Sequence, residues 1–200
     1  MNLNDFAKEI HENAKAHGWW DEPRPFDELC ALMISELAEA LEEARAGRPM
    51  EWHWGEMTST KGLGDPIGGC HIHMKEGHKE GCKPEGIAVE MADCAIRIMD
   101  YLGNVECDID SLYEEIDIAD GIESTLTKTF MAVACLISEA DALMKDECCL
   151  NAEENVEWYF AGALKCIRHW FKANDLDFEA IARRKHEYNK TRERLHGKLF

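Results

Sequence analysis

Two acidic pairs constrain this chain more than any other feature: Glu36-x-x-Glu39 in SELAEALEE and Glu90-x-x-Asp93 in VEMADCAIRIMDYLG. Each lies within an apolar segment of helical periodicity. Residues three apart on a helix share a face, with Cβ atoms about 5–6 Å apart. Two such helices laid side by side bring four carboxylates to one point. Four anions held together raise one another's pKa unless a cation neutralises them. Oxygen-only donors suit a hard ion, Mg²⁺ or Mn²⁺, before Zn²⁺.

The same residues also fit a plainer arrangement. Glu90, Asp93, Arg97 and Asp100 form one stripe on an otherwise apolar helix. Ser35, Glu36, Glu39, Glu42 and Glu43 form one polar face, with Glu36 beside Leu29 and Leu32. Any solvent-facing helix carries such a stripe. Periodicity alone leaves both arrangements open.

Three further stretches accompany the pairs: HGWWDEPRPFDEL before the first, KPEGIAVEMAD around the second and KHEYNKTRERLHG near the end. With these in this order, the chain resembles the MazG-like all-α nucleoside triphosphate pyrophosphohydrolases over about residues 5–48, 83–105 and 176–198. The resemblance implies an all-α antiparallel helical bundle with few or no strands. It implies hydrolysis of a (d)NTP to the monophosphate and pyrophosphate, with Mg²⁺ (or Mn²⁺) held by Glu36, Glu39, Glu90 and Asp93. Glu39 is the candidate to take a proton from the attacking water. The resemblance also sets the Trp19-Trp20 segment beside the substrate base, where an aromatic face can stack. Paired tryptophans serve equally as anchors between helices. Arg24 then meets a phosphate or pairs with an acidic neighbour.

Lys185, Asn189, Lys190 and Arg192 recur every few residues in the one locally basic segment. They can present donors to a triphosphate, Arg in bidentate fashion and Lys as a point charge. In the resembling family, this K-x-x-x-N-x-x-R element contributes to the nucleotide pocket. The bland reading is that cations in the last turn complement the helix dipole.

Charge and composition narrow the function further. With 22 Lys and Arg against 40 Asp and Glu, the net charge is −18. Gripping a nucleic-acid polymer needs a basic surface, and anionic membranes are disfavoured for the same reason. A nucleotide substrate stays open, because a bound cation reverses the local sign. The chain has no apolar run of about 20 residues, the length a membrane span needs. Its start is amphipathic and acidic, unlike a signal peptide. Nine cysteines then read as reduced thiols of a cytoplasmic protein. Cys30, Cys94, Cys135 and Cys166 sit in apolar helical runs and read as core. Neither a Walker loop nor GxGxxG is present, which disfavours a P-loop enzyme.

Residues 48–83 break the pattern. Glycine is dense there, and Cys70, His71, His73, His78 and Cys82 are zinc-ligand types at a crowded, non-standard spacing. The expectation is a long loop insertion whose His and Cys are incidental, acting as a lid or an oligomer contact. The rival function is a non-catalytic helical interaction module, zinc-stabilised through Cys70 to Cys82.

The remaining elements follow from caps and periodicity. Helices are expected at 3–17, with Asn2 or Asn4 capping, and at 26–46, with Asp27 capping and Gly47 stopping. The next runs 86–103, opened by Pro84 and stopped by Gly103. Others are expected near 109–118, 123–147, 152–173 and 177–194. LISEADALM resembles MISELAEAL, and KCIRHWFKANDLD resembles CAIRIMDYLGNVECDID. Either residues 121–200 are a degenerate copy of 1–120, or two amphipathic helices look alike by chance. Ser138 and Glu139 survive in the copy, but Ala142 and Leu164 replace Glu39 and Asp93. The chain is then a single domain, either a homodimer or a pseudo-dimeric monomer.

Overall fold

The computed structural model describes residues 1–55, 58–59, 70–71, 74–117, 125–146 and 151–197. Among the described residues there are seven α-helices: α1 (Leu3–Ala16), α2 (Phe26–Arg45), α3 (Ile87–Asn104), α4 (Ile109–Glu115), α5 (Leu126–Lys145), α6 (Ala152–Ala173) and α7 (Phe178–Lys190). The fold is an all-α helical bundle, as expected. No helix among the described residues is long and apolar enough to cross a membrane.

Helix α3 is the centre. Its first ten residues, Ile87 to Ile96, are all buried, and so are Ile98, Met99, Tyr101 and Leu102. Helices α1, α2, α6 and α7 all pack on it, while α5 lies across α2 and along α6. The apolar stripe Leu3, Phe6, Ile10 and Ala14 of α1 faces inward, and the Asn2 side chain accepts from the Asp5 N–H as its cap. Asp108, Thr125 and Asp177 cap α4, α5 and α7 in the same manner. The first two, α1 and α2, end at glycines of left-handed φ, Gly18 (+81°) and Gly47 (+66°).

Several local expectations are corrected. Asp27 does not cap α2; it lies in the first turn, after Pro25, and no side chain caps that helix. Pro84 lies outside α3, which begins after Gly86 at φ +121°. A Cβ there would lie 2.7 Å from the Met50 carbonyl oxygen, so the backbones of two segments meet at this glycine. Gly103 does not stop α3, which continues to Asn104. Cys135 is exposed rather than core. Helix α5 buries Thr129, Val133, Ile137 and Ala140, and Cys135 lies on the opposite face of that stripe.

The 48–83 insertion contains strands. Strand β1 (Trp52–Trp54) pairs antiparallel with β4 (Met74–Glu76), Trp52 opposite Glu76. Strands β2 (Thr58–Ser59) and β3 (Cys70–His71) pair antiparallel as a second two-stranded sheet. Aromatic residues suit a pleated, half-buried surface. The Trp52 indole N–H donates to Glu43 at 2.6 Å, and Trp52 exchanges backbone hydrogen bonds with Glu85. The β1–β4 arm is thereby tied to the end of α2 and the approach to α3. His73 lies outside the described residues, and the zinc grouping with it.

Candidate metal and nucleotide site

Three of the four acids meet, and Asp93 lies beside them in the same cleft, paired with Lys185. Helices α2 and α3 pack together, and one carboxylate oxygen each from Glu36, Glu39 and Glu90 lies within 4.8 Å of the others. Glu36 and Glu90 are each 4% exposed and Asp93 is 8% exposed, whereas Glu39 is exposed at the mouth. The stripe on α3 is therefore not a solvated face: other helices cover it.

Two cations offset part of the cluster's charge. Lys185 of α7, 2% exposed, places its Nζ 3.2 Å from Asp93 and 3.6 Å from Glu90. Arg97, one turn beyond Asp93, donates from Nε to Glu36 Oε1 at 2.6 Å. Burial pushes Glu90 up to about 8 against the pull of Lys185. Burial, with Asp93 nearby, also raises Glu36. Burial acts upward on Asp93 as well, but Lys185, Arg97 and the Asn189 amide outweigh it and leave that carboxyl below its usual range. One cleft is lined by these acids together with Trp19, Lys83, Arg97, Lys185 and Arg192.

A second, mostly apolar cavity adjoins the first and shares Trp19, Asp93 and Arg97 with it. Its walls include Ile10, Leu29, Leu32 and Ile96, and Trp19, Trp20 and Arg24 sit at its edge. The Trp20 indole N–H donates to both Asp100 oxygens, at 3.0 and 3.1 Å. His11 of α1 contacts the same carboxylate through Nδ1 at 2.9 Å. The Arg24 guanidinium lies 5.0 Å from the centre of the Trp19 ring, and that of Arg97 lies 5.7 Å away. Arg24 donates to the Trp19 carbonyl and to Glu28, so it pairs with an acidic neighbour. Asn189 is buried; its amide lies 3.4 Å from Asp93, and its Oδ1 has no hydrogen-bond partner.

Of the proposed phosphate-binding residues, Lys185, Asn189 and Arg192 line one cavity or the other. Lys190 does not. It points toward α1 and pairs with Glu9 and Glu187, both at 2.7 Å. Asn189 and Lys190 are adjacent, and α-helical geometry turns neighbours about 100° apart. Sequence reasoning gave no role to Lys83 or His11, and none beyond the stripe to Arg97 and Asp100. The available signal was that stripe, 90-93-97-100, read as a row beneath one extended ligand. Ser138 and Glu139, which resemble Ser35 and Glu36 in sequence, are both exposed.

No protein-family model, no curated protein and no solved structure matches this chain.

Proposed function

We propose that the protein hydrolyses a nucleoside triphosphate to the monophosphate and pyrophosphate, with a divalent cation at Glu36, Glu39, Glu90 and Asp93. One observation carries the reading: acids from two helices converge with Lys185 and Arg97 on a cleft that shares Trp19, Asp93 and Arg97 with a mostly apolar cavity. The resemblance of the flanking stretches to the MazG-like pyrophosphohydrolases agrees with it. The donor set is all oxygen, which fits Mg²⁺ or Mn²⁺. Such an ion supplies phosphate charge neutralisation and a water of lowered pKa when bound.

The side chains supply the rest. Glu36, Glu90 and Asp93 fix the ion's place from a rigid core. Glu39, at the exposed mouth, is positioned to accept a proton from water. Lys185 and Arg192 bring positive charge to the phosphates, and Arg97 stands between phosphates and base. Trp19, shared by both cavities, offers its ring to the base. Phosphoryl transfer asks a protein chiefly for positioning and electrostatics.

The test is pyrophosphate release across the common NTPs and dNTPs with Mg²⁺. At least one should be turned over. Glu36→Gln and Asp93→Asn should each lower turnover more than about 100-fold, since even second-shell changes cost 10–100-fold in metal affinity. Their circular dichroism should stay native. Wild-type turnover in both variants would remove this site from the reaction.

A further inference from the structure

We propose that Asp100 selects the base: the substrate is a nucleotide whose base carries an exocyclic amino group. This rests on the nucleotide reading above and goes beyond it.

Position is the first ground. Asp100 lies seven residues beyond Asp93 on the same helix, about 10 Å along the axis at 1.5 Å per residue. It also lines the apolar cavity that adjoins the acidic cleft. A nucleotide whose phosphates lie at Glu90 and Asp93 therefore lays its base toward Asp100. Arg97 lies midway on the same stripe.

The second ground is hydrogen-bonding inventory. Three donors at this cavity are turned away from its interior: the Trp20 indole bonds Asp100, Arg24 Nε and Nη1 bond the Trp19 carbonyl and Glu28, and Arg97 Nε bonds Glu36. Asp100 brings acceptor character to this wall. An ionised carboxylate offers about four acceptor positions, and Asp100 meets His11 and Trp20. Those two groups come from α1 and from the loop after it, so they fix the carboxylate without saturating it. Asn189, from α7, adds a buried Oδ1 with no partner. Adenine, cytosine and guanine present amino N–H donors to such a wall. Uracil and hypoxanthine present a carbonyl or nothing where those amines stand, and a carbonyl facing a carboxylate is repelled. A site built to bond a donor strongly rejects the analogue lacking it, because its own polar group is left unpaired.

The experiment compares dCTP with dUTP, and dGTP with dITP, in which guanine lacks its amine. In the pair that the protein turns over faster, the amino-bearing member should have a kcat/KM at least about tenfold higher. Asp100→Asn should shrink that ratio toward one. A merely structural role would lower both members together and leave the ratio intact. The same nucleotides are titrated in EDTA by tryptophan fluorescence, which reads binding without turnover. Amine preference in binding with no pyrophosphate released from any nucleotide would sink the hydrolase reading and keep this one. Turnover with equal kcat/KM within both pairs would sink this one and keep the hydrolase. No binding and no turnover would sink both.

Discussion

Glu90 is the residue on which the acidic cluster's energetics turn. Its carboxyl is buried among acids, and burial raises it from 4.5 to about 8 even with Lys185 beside it. An acid raised in the folded state binds its proton more tightly there than in the unfolded chain. Between those two pH values the folded state holds more protons, so stability falls as pH rises. Its contribution is complete below about 4.5 and is lost by about 8. Glu36 acts in the same sense and Asp93 in the opposite one, so comparison with a variant is needed to isolate Glu90. Melting temperature in EDTA should fall more steeply between pH 5 and about 8 in wild type than in Glu90→Gln. Added Mg²⁺ should flatten the wild-type slope, since a bound cation favours the ionised form. Parallel curves for the two proteins would show that Glu90 titrates normally.

At the scale of elements, α3 sets both the fold and the site, and one glycine governs how closely α1 approaches it. A Cβ on Gly103 would lie 2.6 Å from the Ala7 carbonyl oxygen and 3.0 Å from the His11 Cβ. Helix propensity favours Gly103→Ala by about 1 kcal/mol. Overpacking against a backbone atom that cannot swing away costs about 1–3 kcal/mol, so the substitution should destabilise. Urea unfolding reads the sign, and a rise in midpoint would show that α1 shifts without penalty. The same crossing holds His11 against Asp100, so the variant should also weaken nucleotide binding. Gly103 marks a limit on what sequence shows. Periodicity and caps gave the helices, their apolar faces and the acidic pairs, because these depend on neighbours along the chain. Whether a polar stripe meets water or another helix depends on distant partners. That is why the periodicity of Glu90 and Asp93 fitted a solvated face, and why Cys135 read as core. Lys190 shows the same limit at finer grain: spacing grouped it with Asn189, and α1 supplied Glu9 on the other side.

At the scale of the whole molecule, a chain of net charge −18 gathers acids at its centre and closes them with a cation from its last helix. Lys185 joins α7 to α3 through charge, while Arg184 next to it holds Glu51 of the β arm with two hydrogen bonds, at 2.9 and 2.7 Å. Removing one partner of a buried pair typically costs about 3–5 kcal/mol, because the other charge is left unpaired. Lys185→Met should therefore destabilise the metal-free protein by about that amount at pH 9. At pH 6 the loss should be smaller, because Glu90, pushed up to about 8 by burial even with Lys185 beside it and higher still without it, then carries its own proton. A divalent ion restores positive charge at the same acids, and a ligand that binds only the folded state stabilises it by mass action. The variant should thus gain more in melting temperature from Mg²⁺ than the wild type gains, with the difference largest at high pH. Thermal unfolding of both proteins in EDTA and in Mg²⁺, at pH 6 and 9, measures this directly. An equal Mg²⁺ gain in the two would mean that the lysine and the ion do not serve the same carboxylates. The acidic centre would then be held by α7 packing alone.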